Sequence, residues 1–182
     1  MKSIFIKFQI SLIVIIIGIG STSCETKTVE IIKSGGVWHL NDGVFNDDGN
    51  SKKAIIGSEK DVEIAMELFD AYTNLDSQRM VELSEDIVKF HPAEIAGIID
   101  VDASNTSFID QIQSTFESID RTVHNVTPIA VEGSDNYTVV GINYTQVITH
   151  KDGSISSGHY FERIHVENEK VVRIVQWMRP LE

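Results

Sequence analysis

Apolar residues recur at helical spacing through the middle of the chain and alternate with polar ones towards its end. The change of period divides the sequence into helices followed by strands. Val62, Ala65, Met66, Phe69 and Tyr72 share one face of a helix predicted over Glu59 to Asn74. Ile64, Leu68, Ala71 and Leu75 widen that stripe beyond what a surface helix needs, so burial on more than one side is expected. Ser58 followed by Asp61 forms a capping box at its start. Asp76 caps a second, short helix through Met80 and Leu83, and a brief apolar run, Ile87 to Phe90, follows. His91-Pro92 stops that run, because proline disfavours helix at the residue before it and donates nothing to a ladder. Ala93 to Ala103 fits helix and loop equally. Phe108, Ile112, Phe116 and Ile119 then predict a third helix ending near Asp120, with caps supplied by Ser104 to Ser107.

Four strand-like runs complete the chain: RTVHNVTPIAVE, YTVVGINYTQVITH, GHYFERIHVE and KVVRIVQWMR. They are dense in β-branched and aromatic residues. Asp152-Gly153 and Asn168 mark two hairpins, and Glu132 to Asn136 is a natural turn joining the first two runs. Helices followed by strands, without βαβ alternation, define a single α+β domain: a curved antiparallel sheet of four to five strands packed on about three helices. Alternation places Val140, Ile142, Tyr144, Gln146 and Ile148 inward, together with Tyr160, Glu162, Ile164 and Val166, and with Val172, Ile174, Gln176 and Met178. The outward set, Phe161, Val171, Val175 and Trp177 interleaved with Arg163 and Arg173, is too apolar for water. Either a second copy of the chain covers it as a homodimer, or the segment around Trp38 folds back on it.

The front of the chain changes the picture. Lys2 and Lys7 precede an apolar run, Ile10 to Ile19, that ends in Gly20 to Ser23. This is the pattern of a signal peptide over residues 1–23; a permanent transmembrane anchor is the weaker reading, since a membrane-spanning helix needs about 20 apolar residues. Ser21-Thr22-Ser23-Cys24 resembles the lipobox of bacterial lipoproteins, with Ser21 where leucine is usual. The resemblance implies lipid attachment at Cys24 and a lipid-anchored protein of the bacterial cell envelope. The alternative is an ordinary secretory peptide with Cys24 as an incidental thiol. Cys24 is the chain's one cysteine, so no internal disulfide staples the fold. Residues 24–57, scattered with Gly, Asn, Asp and Lys, read as a tether, and 58–182 as the domain. The acids near Gly43 and Gly49 lack calcium-loop spacing, because Trp38 or Val44 stands where the first Asp belongs. A net charge of −12 argues against nucleic acid and anionic lipid as partners, leaving membrane contact to the lipid alone.

From Glu59 to Pro180 the chain resembles the nuclear transport factor 2-like superfamily, and its SnoaL-like branch in particular. The resemblance rests on element order, on Asp86-Ile-Val-Lys-Phe-His91-Pro92 after the second helix, and on the ending Val166 to Trp177. It implies a cone with an internal pocket, in a family of isomerases, cyclases, hydratases and noncatalytic binding proteins that often pair through the outer sheet surface. Met66, Phe69, Tyr72, His91, Tyr144, Gln146, Glu162 and Gln176 are then the expected pocket residues, with His91 at its mouth.

Glu162 reads in two ways. A carboxyl in an apolar face suits general acid or base work, whereas a rim glutamate is simply solvated or paired with Arg163. In place of Glu162, Asp100 or Asp102 could substitute as the acid from the preceding loop, with His91 and Tyr144 as its partners, although either is more often a solvated loop acid. The final strand, Gln176-Trp177-Met178, lacks the aspartate that several family enzymes use. The leading expectation is therefore a noncatalytic pocket for a small, partly apolar ligand or a protein partner. The alternative is an acid-base enzyme acting on a small carbonyl or polyketide-like substrate. No cofactor is expected, and no metal: His159 and His165 share a strand face but stand about 20 Å apart along it.

Overall fold

A computed structural model of the chain describes residues 34–38 and 52–181. The leader over 1–23 and the expected lipid site at Cys24 lie outside the described residues.

Helix α1 spans Glu59–Thr73, and Ser58 caps it by accepting the Asp61 N–H at 3.4 Å. The reciprocal half of the capping box is replaced by a tie to the sheet. Asp61 is buried and accepts the Thr138 hydroxyl at 2.6 Å, while the Ser58 N–H donates to Thr138 Oγ1 at 3.3 Å. Glycine is required at position 57, because a Cβ there would stand 2.3 Å from Thr138 Cγ2. Helix α2, Ser77–Leu83, is capped as expected by Asp76, which accepts the Arg79 N–H at 3.0 Å.

The sheet contains β1 (Ser34–Trp38), β2 (Lys52–Ile56), β3 (Ser84–His91), β4 (Ile99–Asp102), β5 (Phe116–Val131), β6 (Tyr137–His150), β7 (Ile155–Glu167) and β8 (Lys170–Pro180). Their order is β1-β2-β5-β6-β7-β8-β3-β4. Among the described residues eight strands replace the expected four to five, since β1 and β2 extend one edge and β4 forms from the ambiguous stretch before residue 103. The sheet is mixed rather than wholly antiparallel, because β3 pairs parallel with β8. Helix α3 runs over Ser107–Gln113 and stops before Phe116. Phe116 and Ile119 belong instead to β5, where Ile119 stands opposite Ile148 of β6. The apolar spacing there satisfies either period, and a long antiparallel partner decides for the strand.

Alternation holds along β6: Val140, Ile142 and Tyr144 are 0 % exposed on the inner face, with Gln146 and Ile148 also buried. On β8 it breaks. The β7–β8 register passes from His165 opposite Arg173 to Val166 opposite Val171, leaving Val172 as an extra bulged residue. The bulge turns Val171 inward, where it is 0 % exposed among Ile164 and Val166 in the core. Val171 is therefore not part of the outer face, and Val172 leaves the inward set. The hairpins turn where expected, with Gly153 at φ +85° and Asn168 and Glu169 at +50° and +63°.

Candidate functional site

The concave face of the sheet, α1 and α3 enclose a cavity of about 140 Å³. Its wall is mainly apolar: Leu68 and Phe69 from α1, Val88 and Phe90 from β3, Ile109 from α3 and Ile174 from β8. A wider vestibule of about 530 Å³ shares Tyr72, Phe90, Phe108, Ile112 and Gln176 with the chamber. Gln146, Tyr160 and Glu94 also border this vestibule.

Few polar side chains converge on the chamber, and they are organised. Glu162, on β7 and 4 % exposed, receives the Tyr144 hydroxyl at 3.0 Å and the Gln176 amide, both on Oε2. The second carboxylate oxygen, Oε1, accepts nothing from the described residues. Two donors on one oxygen offset the cost of burying a carboxylate and fix its orientation. Tyr144 is pinned in turn, stacked on Tyr160 with ring centroids 5.2 Å apart and set edge-on to Phe69 at 4.8 Å. Burial, then the neighbouring Glu162 charge, pushes the Tyr144 phenol far above its ordinary value, so it stays a donor. Tyr72 is pushed up to about 12 by burial, against the pull of Arg121.

Arg121 is the one charged wall residue that was not expected from the sequence; the polar Ser84 and Gln113 also line the chamber. It stands opposite Gln146 on β5, and its Nε donates to Gln146 Oε1 at 2.7 Å while Nη1 donates to the Phe69 carbonyl at 3.3 Å. Its guanidinium carbon lies 4.2, 4.5 and 4.9 Å from the ring centroids of Phe69, Tyr72 and Tyr144. The signal was present as an arginine two places from both Ile119 and Val123. Reading residues to 120 as helix concealed that alternation.

Of the expected pocket residues, Phe69, Tyr72, Glu162 and Gln176 line the chamber, and Gln146 lines the vestibule. Tyr144 reaches the site through its hydroxyl from within the core. Met66 packs against the core and borders neither space. His91 is on the opposite face of the sheet from the chamber, because Phe90 takes the inward position of β3; its Nε2 lies 3.2 Å from an Arg173 nitrogen. Burial and the Arg173 charge lower its pKa. Asp100 and Asp102 also point away, since Val101 between them takes the inner face. Asp100 pairs with Lys89 at 2.7 Å, and Asp102 accepts from the backbone and hydroxyl of Ser104. None of these three is placed to act in the cavity. Among the described residues no group of three His, Cys, Asp or Glu side chains could hold a metal ion.

On the convex face Phe161 and Trp177 stack at 5.5 Å, with the Arg163 guanidinium 5.6 and 5.2 Å from their centroids. Trp177 is 47 % exposed.

No protein-family model matches this chain, and no curated protein is similar to it by sequence. Solved structures are similar in shape. An NTF2-like protein from Anabaena variabilis is 13% identical with TM-score 0.52, the match covering 68% of this chain and 92% of that one. An LEH-like epoxide hydrolase from M. tuberculosis is 8% identical with TM-score 0.53, covering 66% and 83%. AusH from Aspergillus nidulans is 11% identical with TM-score 0.52, covering 68% and 86%. The domain has the nuclear transport factor 2-like fold, a cone of curved sheet and helices around a pocket.

Proposed function

We propose that this chain is a lipid-anchored envelope protein whose cone binds a small, partly apolar molecule in the chamber between α1, α3 and the sheet. The observation that carries the pocket reading is an apolar cavity kept open at the centre of the fold, with Glu162 and Arg121 held separately in its wall. A domain built only to dimerise would fill that space, because packed interiors leave few voids larger than a water molecule. Saturation-transfer NMR with benzyl alcohol, a neutral single-ring probe, is expected to show binding that Ile174→Trp abolishes by filling the chamber. Transfer unchanged in that variant sinks the pocket reading.

The anchor is supported by the charged and apolar leader and by Ser21 to Cys24. Metabolic labelling with a radioactive fatty acid is expected to mark the wild-type chain and to miss Cys24→Ala. Equal labelling of both rules the anchor out.

A second reading, an acid-base enzyme of the SnoaL-like kind, is favoured by one arrangement. Glu162 lines the chamber, is fixed by Tyr144 and Gln176 through Oε2, and accepts from no described residue on Oε1. Such a carboxylate can take a proton from a carbon acid, and the Arg121 guanidinium in the same wall can stabilise the oxyanion formed. The epoxide hydrolase of similar fold is an example of an enzyme built on this scaffold.

A further inference from the structure

We propose that the chamber takes a ring-bearing organic anion, with its carboxylate on Arg121 and its ring among the apolar side chains. This inference rests on the cavity being a ligand pocket. It adds the chemical class of the ligand.

Size comes first. A chamber of about 140 Å³ matches the apolar cavities of ~150 Å³ that take up benzene, so one six-membered ring fills it. The walls suit a ring, since Phe69, Val88, Phe90 and Ile174 offer it apolar surface on several sides.

Charge comes second. Arg121 is half-buried in that wall and takes part in none of the ion pairs among the described residues. Its two hydrogen bonds go to neutral acceptors, the Gln146 side chain and the Phe69 carbonyl, and Nη2 donates to no described residue. A guanidinium partly withdrawn from water, with no carboxylate in ion-pair contact, gains from an anion that completes it. Three aromatic rings and two hydrogen bonds fix its orientation before any ligand arrives, which reduces the ordering cost of binding. The planar fork of N–H donors matches a carboxylate better than a point charge would.

Glu162 does not supply the missing anion. Tyr144 separates the two groups, turning its ring to Arg121 and its hydroxyl to Glu162. The two charged groups therefore stand on different parts of Tyr144, its ring and its hydroxyl. An incoming carboxylate belongs at Arg121, and any hydroxyl or amine on the ring finds an acceptor in Glu162 Oε1.

The test compares benzoate with its neutral isostere benzamide by saturation-transfer NMR and competition on the full-length chain. Benzoate is expected to bind about ten- to a hundredfold more tightly, the usual worth of hydrogen bonds to a charged group. Arg121→Met should erase that preference while benzamide still binds, and Arg121→Lys should keep part of it. Should Arg121→Met fail to fold, the wild-type comparison decides alone. Equal affinity for the two probes overturns the anion assignment and leaves the pocket reading standing. If neither probe binds, and benzyl alcohol does not bind either, both readings fall.

Discussion

On the acid-base reading, deuterium exchange at the α-carbon of a small cyclic ketone is expected to proceed in the wild-type protein and to fall about a hundredfold or more in Glu162→Gln. The expectation follows from how the carboxylate is held. Oε2 is occupied by Tyr144 and Gln176, so proton transfer has one geometrically available oxygen, Oε1. Burial at 4 % exposure leaves the carboxylate little contact with bulk water. Glutamine preserves the shape and can still accept from Tyr144, so the fold should survive with a cost of about 1 kcal/mol. What it loses is the basic lone pair. Exchange followed by proton NMR in D2O reads the difference directly, and a matched thermal melt shows that the variant is folded. If wild type and Glu162→Gln exchange at the same rate, Glu162 is not the base and the noncatalytic reading stands.

Light scattering at micromolar concentration should give the mass of a dimer for the wild type and of a monomer for Trp177→Glu. We propose that two copies pair through the convex face. Phe161 and Trp177 form a stacked, partly exposed pair there with Arg163 laid over both rings, and Val175 extends the patch. The described helices cover the opposite face of the sheet, so this patch faces solvent among the described residues. Aromatic residues at the centre of an interface carry much of its energy, typically 2–4 kcal/mol each. A glutamate in that position would be desolvated without a partner, and the dimer should weaken by about two to three orders of magnitude. Trp177 is half in water already, so the substitution should leave the fold intact. A wild-type mass equal to one chain at that concentration ends the dimer proposal.

Strong local signals were legible in the sequence. The stripe from Val62 to Tyr72 gave α1 to within one residue of Glu59–Thr73, because amphipathic periodicity over four turns outweighs any competing pattern. Asp152-Gly153 and Asn168 located the hairpins, since positive φ favours few residue types. Two-residue alternation on β6 and most of β7 and β8 put Tyr144, Glu162 and Gln176 on one face by pattern alone. The failures share a cause. Phe116 and Ile119 fit a helix by spacing, and only the β6 partner opposite them shows a strand. Arg121 was missed with them.

The amino-acid sequence by itself determined the α+β class, the main helix and the hairpins, because each depends on periodicity or on turn chemistry within a short window. It left Glu162 open between the inner face and a solvated rim, a choice that its burial in the fold decides. Tertiary structure alone decided which polar residues meet. The parallel pairing of β3 with β8 sends His91 to the convex face, the bulge at Val172 turns Val171 into the core, and the β5–β6 register brings Arg121 to Phe69, Tyr72 and Tyr144. The physical reason is that a strand's facing set reverses with a one-residue shift of register, and register is fixed by partners far away in the chain.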